Sequence, residues 1–146
     1  MTANCWNHNL HYLLLILLGN FFEHQFEPAG FDLVVSVAAL HHMDAEAGLT
    51  RMSYLVRPGG ALVVVGLAQS RQFGDFALDV AGMVATRVYT HILRKRYWEH
   101  NAPKVWPPPL SYAELRAIAA RLLPGAKYRR HVLWRYSLVW IRQPAP

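Results

Sequence analysis

The sequence predicts an α/β fold with a mainly parallel sheet that closes in an antiparallel hairpin. Three observations carry this reading. Two valine-rich apolar runs flank a helical pattern within residues 32–67. A capping box opens a second helix at Ser111. That helix leads into two short runs rich in Val, Leu, Tyr and Trp.

The first run is Asp32-Leu33-Val34-Val35-Ser36-Val37-Ala38, and the second is Ala61-Leu62-Val63-Val64-Val65-Gly66-Leu67. Neither alternates polar with apolar residues. Such runs belong to strands buried on both faces, as in a parallel sheet. Between them, Asp44 is placed to cap a helix whose apolar positions are Leu49, Met52, Leu55 and Val56. Pro58-Gly59-Gly60 ends it. Strand, helix and strand in this length form a βαβ unit.

In Ser111-Tyr112-Ala113-Glu114, the serine accepts from the backbone at Glu114 and the glutamate reaches back. Leu115, Ile118, Ala119 and Leu122 form the apolar stripe, and Pro124-Gly125 ends the helix. Tyr128–Leu133 and Ser137–Ile141, joined through Trp134-Arg135-Tyr136, read as the closing hairpin. Upstream, Phe76, Val80, Met83, Val84, Val88 and Ile92 share one helical face, with Arg94-Lys95-Arg96 at its C-terminal end. That helix covers the sheet or a cleft. Pro107-Pro108-Pro109 reads as an extended connector.

The chain of 146 residues suits one domain or part of a larger one. It is 53% hydrophobic and 16% charged, a composition that buries a core. The net charge of +6 is unevenly split: residues 1–86 carry −4 and residues 87–146 carry +10. Cys5 alone excludes an internal disulfide framework and a cysteine-rich zinc site. The apolar run Leu13–Leu18 is too short to span a bilayer, and neither basic residues before it nor a small-residue cleavage site after it make it a signal peptide. A cytoplasmic protein is expected. Residues 1–12 read as an irregular leader.

Ligands of an open parallel sheet bind beyond the carboxyl ends of its strands. Here those ends are Ser36–Asp44 and Leu67–Gln72, and the first holds His41, His42 and Asp44. On an extended segment neighbouring side chains point to opposite sides, so the two histidines do not readily share a metal. One of them can serve as a polar or acid–base group in a ligand pocket. No G-x-S-x-G elbow, P-loop or G-x-G-x-x-G is present. The basic, Trp- and Tyr-rich C-terminal half raises nucleic-acid binding, but core packing explains the aromatics and no nucleic-acid motif accompanies them.

Phe31-Asp32 through Met43-Asp44, the helix, and Leu55-Val56-Arg57-Pro58-Gly59-Gly60-Ala61 through Gly66 together resemble the second half of a class I S-adenosylmethionine-dependent methyltransferase. The order matches that family's fourth strand, fourth helix and fifth strand. Residues 111–142 resemble its last helix and closing hairpin. The resemblance spans about residues 13–142. It implies a truncated Rossmann-like, doubly wound sheet and methyl transfer from S-adenosylmethionine to a small molecule. Residues 13–146 would form a partial methyltransferase domain, in which residues 68–109 are an insertion or substrate lid.

The resemblance also assigns residues. Asn20 and Phe21 match the positions that hold and flank the adenine, although the family has an acidic residue where Asn20 stands. Ser36, Val37 and Ala38 match the strand end that lines the methionine part of the cofactor. His42, and secondarily His41, face the acceptor as the catalytic polar group. The family's glycine-rich loop and its acidic ribose ligand have no counterpart here. That absence leaves the edge of Leu33–Val37 unpaired. Either Leu13–Leu18 moves in beside it, or a second chain covers it, as a homodimer or as a partner supplying the missing strands. The alternative reading of the whole chain is a non-catalytic half-domain that needs such a partner.

Overall fold

The structure, a computed structural model, describes residues 15–71, 76–92 and 106–144. Cys5, Leu13, the basic run Arg94-Lys95-Arg96 and Trp98 lie outside the described residues.

Four strands form one sheet. β1 (Phe31–Val37) runs parallel to β2 (Val56–Leu67), and α1 (Ala45–Leu55) connects them. β4 (Arg135–Ile141) pairs antiparallel with the other side of β2, and β3 (Lys127–Arg130) completes the order β1-β2-β4-β3. The predicted βαβ unit and closing hairpin are both present. The sheet mixes one parallel pair with two antiparallel ones. α2 (Phe76–Arg87) passes into a π-helical turn, Val88–Ile92, and α3 (Tyr112–Leu122) precedes the hairpin.

Local chemistry explains the boundaries. The Asp44 carboxylate accepts from the Ala47 N–H at 2.7 Å and so caps α1. α1 ends at Leu55, and β2 begins at once with Val56, ahead of the Pro-Gly-Gly turn. Both halves of the capping box form at α3: Glu114 N–H donates to Ser111 Oγ at 3.3 Å, and Ser111 N–H donates to Glu114 Oε2 at 2.7 Å. The hairpin turns through Leu133 and Trp134, both left-handed at φ 61° and 56°.

α1 and α3 cover one face of the sheet. Leu49 and Met52 of α1 pack with Leu62 and Val64 of β2, Leu115 and Ala119 of α3, and Tyr136 and Leu138 of β4. Leu49, Leu62 and Val64 have no exposed surface. Between the helices, Arg121 donates to Glu46 at 2.9 Å, and this holds the Glu46 carboxyl below its ordinary range. Gly66 is required by close approach. It stands opposite Tyr136 in the β2–β4 ladder, and a Cβ there would lie 2.5 Å from the tyrosine hydroxyl oxygen. Burial and the neighbouring Tyr112 push the Tyr136 phenol well above its usual pKa.

Two expectations are corrected. Leu15–Leu18 does not join the sheet: these four residues carry no strand and are all exposed, with Leu18 fully so. Among the described residues the free edge of β1 is therefore not covered by this run. The valine-rich strands are also not buried on both faces. The face opposite α1 and α3 leaves Leu33, Val35 and Val37 exposed. The physical reason is that the helices among the described residues pack on one side, and α2 is held near the hairpin turn instead. There Arg130 donates to Asp79 at 2.8 Å and to Ser70 Oγ at 3.0 Å, and Gly82 packs by the Leu133 backbone.

Candidate functional site

β1 ends in a feature that sequence patterning does not reveal. Ala38 takes a left-handed φ of 50°, while its N–H donates to Val65 O at 2.8 Å. That conformation costs an L-residue roughly 1–2 kcal/mol. It bends the chain out of the strand directly into a 3-10 turn, Leu40–His42. The turn closes with His42 N–H donating to Ala39 O at 3.0 Å, and Met43 then leads to the Asp44 cap. The strand end, the histidines and the helix start are thus placed at one end of the sheet.

The two histidines are not on an extended segment, so their side chains do not diverge. Their rings lie 4.1 Å apart between centroids at 39°. His41 is half-buried, and its Nδ1 is buried without a hydrogen-bond partner. Burial first, and then the neighbouring His42, lower the His41 pKa. His42 is the exposed member of the pair. Among the described residues no group of three or more His, Cys, Asp or Glu could hold a metal ion.

Ser36, Val37 and Ala38 occupy the strand end but point differently. Ser36 is buried on the helix-covered face, while Val37 and Ala38 are exposed. Asn20 and Phe21 are anchored elsewhere. Asn20 Oδ1 accepts from Phe22 N–H at 3.0 Å, and its Nδ2 donates to Glu23 at 2.8 Å. Phe21 packs against the core, its carbonyl accepts from Arg51 Nε at 2.9 Å, and the guanidinium sits 5.4 Å above its ring. Arg51 also donates to the His24 carbonyl. Arg51 is about 10 Å along α1 from Asp44, at 1.5 Å per residue. Chain continuity therefore groups Ser36–Ala38 with the histidines, and Arg51 fixes Asn20–Phe21 farther along the same helix.

A cavity beside the histidines is lined by Leu40, His41, Leu67, Pro108, Leu110 and Tyr136, among others. Pro108 is fully buried, so the proline triplet is more than a connector. It is pinned by Gln69, whose N–H donates to Leu110 O at 2.9 Å and whose carbonyl accepts from Tyr112 N–H at 3.2 Å. The cavity admits a water-sized sphere over about 20 Å³, room for about one water. A nucleoside-sized cofactor does not fit there. The described residues offer such a group one wall, the exposed Val37–Ala38 strand end with the His41–His42 turn above it, and not an enclosed pocket. Asn20 has both ends of its amide engaged locally.

Comparison with known proteins finds methyltransferases. A family profile described as a methyltransferase domain matches residues 1–64. Uncharacterized methyltransferases from Mycobacterium bovis (strain ATCC BAA-935 / AF2122/97) and Mycobacterium tuberculosis (strain ATCC 25618 / H37Rv) are each 46% identical over 116 residues, covering 77% of this chain and 56% of each relative. Over the matched stretch the chain is similar to methyltransferases. It spans about half the length of these methyltransferase relatives. Solved structures of weaker likeness include an O-methyltransferase family protein from Burkholderia thailandensis, 15% identical, with 79% of this chain and 31% of that one covered at a TM-score of 0.45. Another is a protein from Pyrococcus horikoshii OT3, 11% identical, with 86% and 61% covered at a TM-score of 0.49. Among the described residues no helix is long and apolar enough to cross a membrane.

Proposed function

We propose that this chain supplies the acceptor-side half of an S-adenosylmethionine-dependent methyltransferase acting on a small molecule in the cytoplasm. Its sheet is the truncated remainder of a doubly wound fold, and further polypeptide completes its cofactor site. The observation that carries this reading is 46% identity to methyltransferases over a stretch that includes only 56% of their length. The geometry supports it: among the described residues the strand end lies exposed, and the cavity beside it has room for about one water.

Methyl transfer is a displacement in which the protein mainly positions two reactants and removes the acceptor proton. In this reading the exposed Val37–Ala38 backbone forms one side of the cofactor's methionine end, with Ser36 buttressing it from below. Phe21 packs near the adenine. His42 is the exposed imidazole that takes the acceptor proton, and His41 orients it by ring contact. α2 closes over the acceptor, tethered through Asp79 and Arg130. S-adenosylmethionine supplies the electrophilic methyl group when bound.

The test is a nitrogen-15 NMR titration of the folded chain with S-adenosylmethionine. Binding by half a site is weak, because the other half's hydrogen bonds are missing. Shifts confined to Ser36, Val37, Ala38, His41 and His42 at millimolar cofactor are expected. An unchanged spectrum at those concentrations contradicts the proposal. It would favour the second reading, a half-domain with no cofactor contact of its own.

A further inference from the structure

α2 and the π-helical turn after it are amphipathic in the inverted sense. Asp79, Gly82, Thr86 and Thr90 recur at helical spacing on the side turned to the protein. Asp79 accepts from Arg130 at 2.8 Å and from Ser70 Oγ at 2.9 Å, and Gly82 packs by the Leu133 backbone. The half-buried Thr86 and Thr90 donate their hydroxyls to the carbonyls of Gly82 and Thr86, at 2.8 Å and 2.7 Å. The opposite side is apolar and faces out. Ala77, Ala81, Val84 and Val88 follow at i, i+4, i+7 and i+11, and all four are exposed. With Met83 and Tyr89 beside them, the large members are 39–57% exposed. A helix in water turns its apolar stripe to the core, so this orientation needs a covering medium.

The charges beside the stripe indicate which medium. A groove of about 440 Å³ on this side is lined by Met83, Val84 and Val88 together with Arg87 and His91. Asp79, the one carboxylate in residues 76–92, is on the inward side. The next cations in the sequence are Arg94, Lys95 and Arg96. We infer that the outward face of α2 and its π-helical turn docks on an anionic phospholipid bilayer. A bilayer surface offers apolar chains below and phosphates above, which matches apolar residues bordered by cations. The helix lies in the plane of the surface. Met83, Val84 and Val88 enter the acyl boundary, Tyr89 sits at the headgroup level, and Arg87 reaches back to the phosphates. A single helix of this kind is a reversible anchor that depends on lipid charge. A second copy fits poorly, because it would bring the same cations against an identical set. The docking adds a membrane surface to the proposed methyl transfer and does not depend on it.

The test is flotation of the whole chain with vesicles of phosphatidylcholine, alone and with added phosphatidylglycerol. Neither cofactor nor acceptor is present, so failure here is separate from failure to bind S-adenosylmethionine. Phosphatidylglycerol should raise binding by about tenfold or more, and high salt should remove that gain. Val84→Glu and Val88→Glu should each lower binding by about tenfold with an unchanged circular dichroism spectrum, since both residues are exposed. Val35→Glu on the open side of the sheet and Ala120→Glu on α3 add the same charge at exposed positions, and each should change binding by less than about twofold. On vesicles, amide exchange should slow across residues 83–91. Four results overturn the inference: no binding by the folded chain, equal binding to neutral vesicles, indifference to Val84→Glu and Val88→Glu, or an equal loss with Val35→Glu. Indifference would mean that the basic half of the chain binds by charge alone, and an equal loss would place the lipid on the open sheet. A dimer in the absence of vesicles that Val84→Glu dissociates would give the face to a second copy, and this also overturns it.

Discussion

Gly66 and Tyr136 show how a single residue fixes the core. The hydroxyl end of the tyrosine ring crowds the glycine, where no Cβ fits. Gly66→Ala should therefore destabilise the chain by about 1–3 kcal/mol in urea titration, through overpacking. His41 makes a pH prediction. Its folded pKa is lowered, so the unfolded chain binds the proton more readily. The contribution to stability is complete above the unfolded value of 6.5 and is lost as pH falls from there through the lower folded value. His41→Gln should flatten the fall in urea midpoint between pH 8 and pH 5, and an unchanged pH dependence would show that His41 is not its source. The Asp44 cap was legible from residue type and spacing. The left-handed Ala38 was not, because alanine carries no signal for that conformation. The ring contact of His41 with His42 follows from that bend, so it was hidden with it.

At the scale of elements, the two caps and the apolar stripes defined α1 and α3 from sequence, since each boundary is set by local hydrogen bonds. Ser111→Ala removes the side-chain half of a capping box. It should cost about 1 kcal/mol, measured by chemical denaturation, with the effect centred on α3 in amide exchange. α2 was legible as a helix but its position was not, because that depends on the long-range contact of Asp79 with Arg130. Arg130→Met should leave the sheet folded and speed exchange throughout Phe76–Arg87. Equal loosening of α1 would show that Arg130 supports the whole core instead. The strands read as buried on both faces because continuous valine runs report only that both sides avoid water. They do not say which polypeptide excludes it.

The whole molecule is a sheet with one finished side. α1 and α3 complete that side with a dense core, and the other side presents rows of valine and leucine with cations beside them. The same asymmetry explains the candidate site. A strand end with one wall would position a cofactor weakly, and His42, proposed here as the proton acceptor, is exposed. The most direct measurement is calorimetric titration of S-adenosylmethionine into this chain alone and into its complex with the remainder of the Mycobacterium tuberculosis relative. The account predicts at least about tenfold tighter binding by the complex than by either part, lost again when Val35→Lys breaks the complex. Equal affinity for the chain alone and the complex, or no binding by a folded complex, would contradict it.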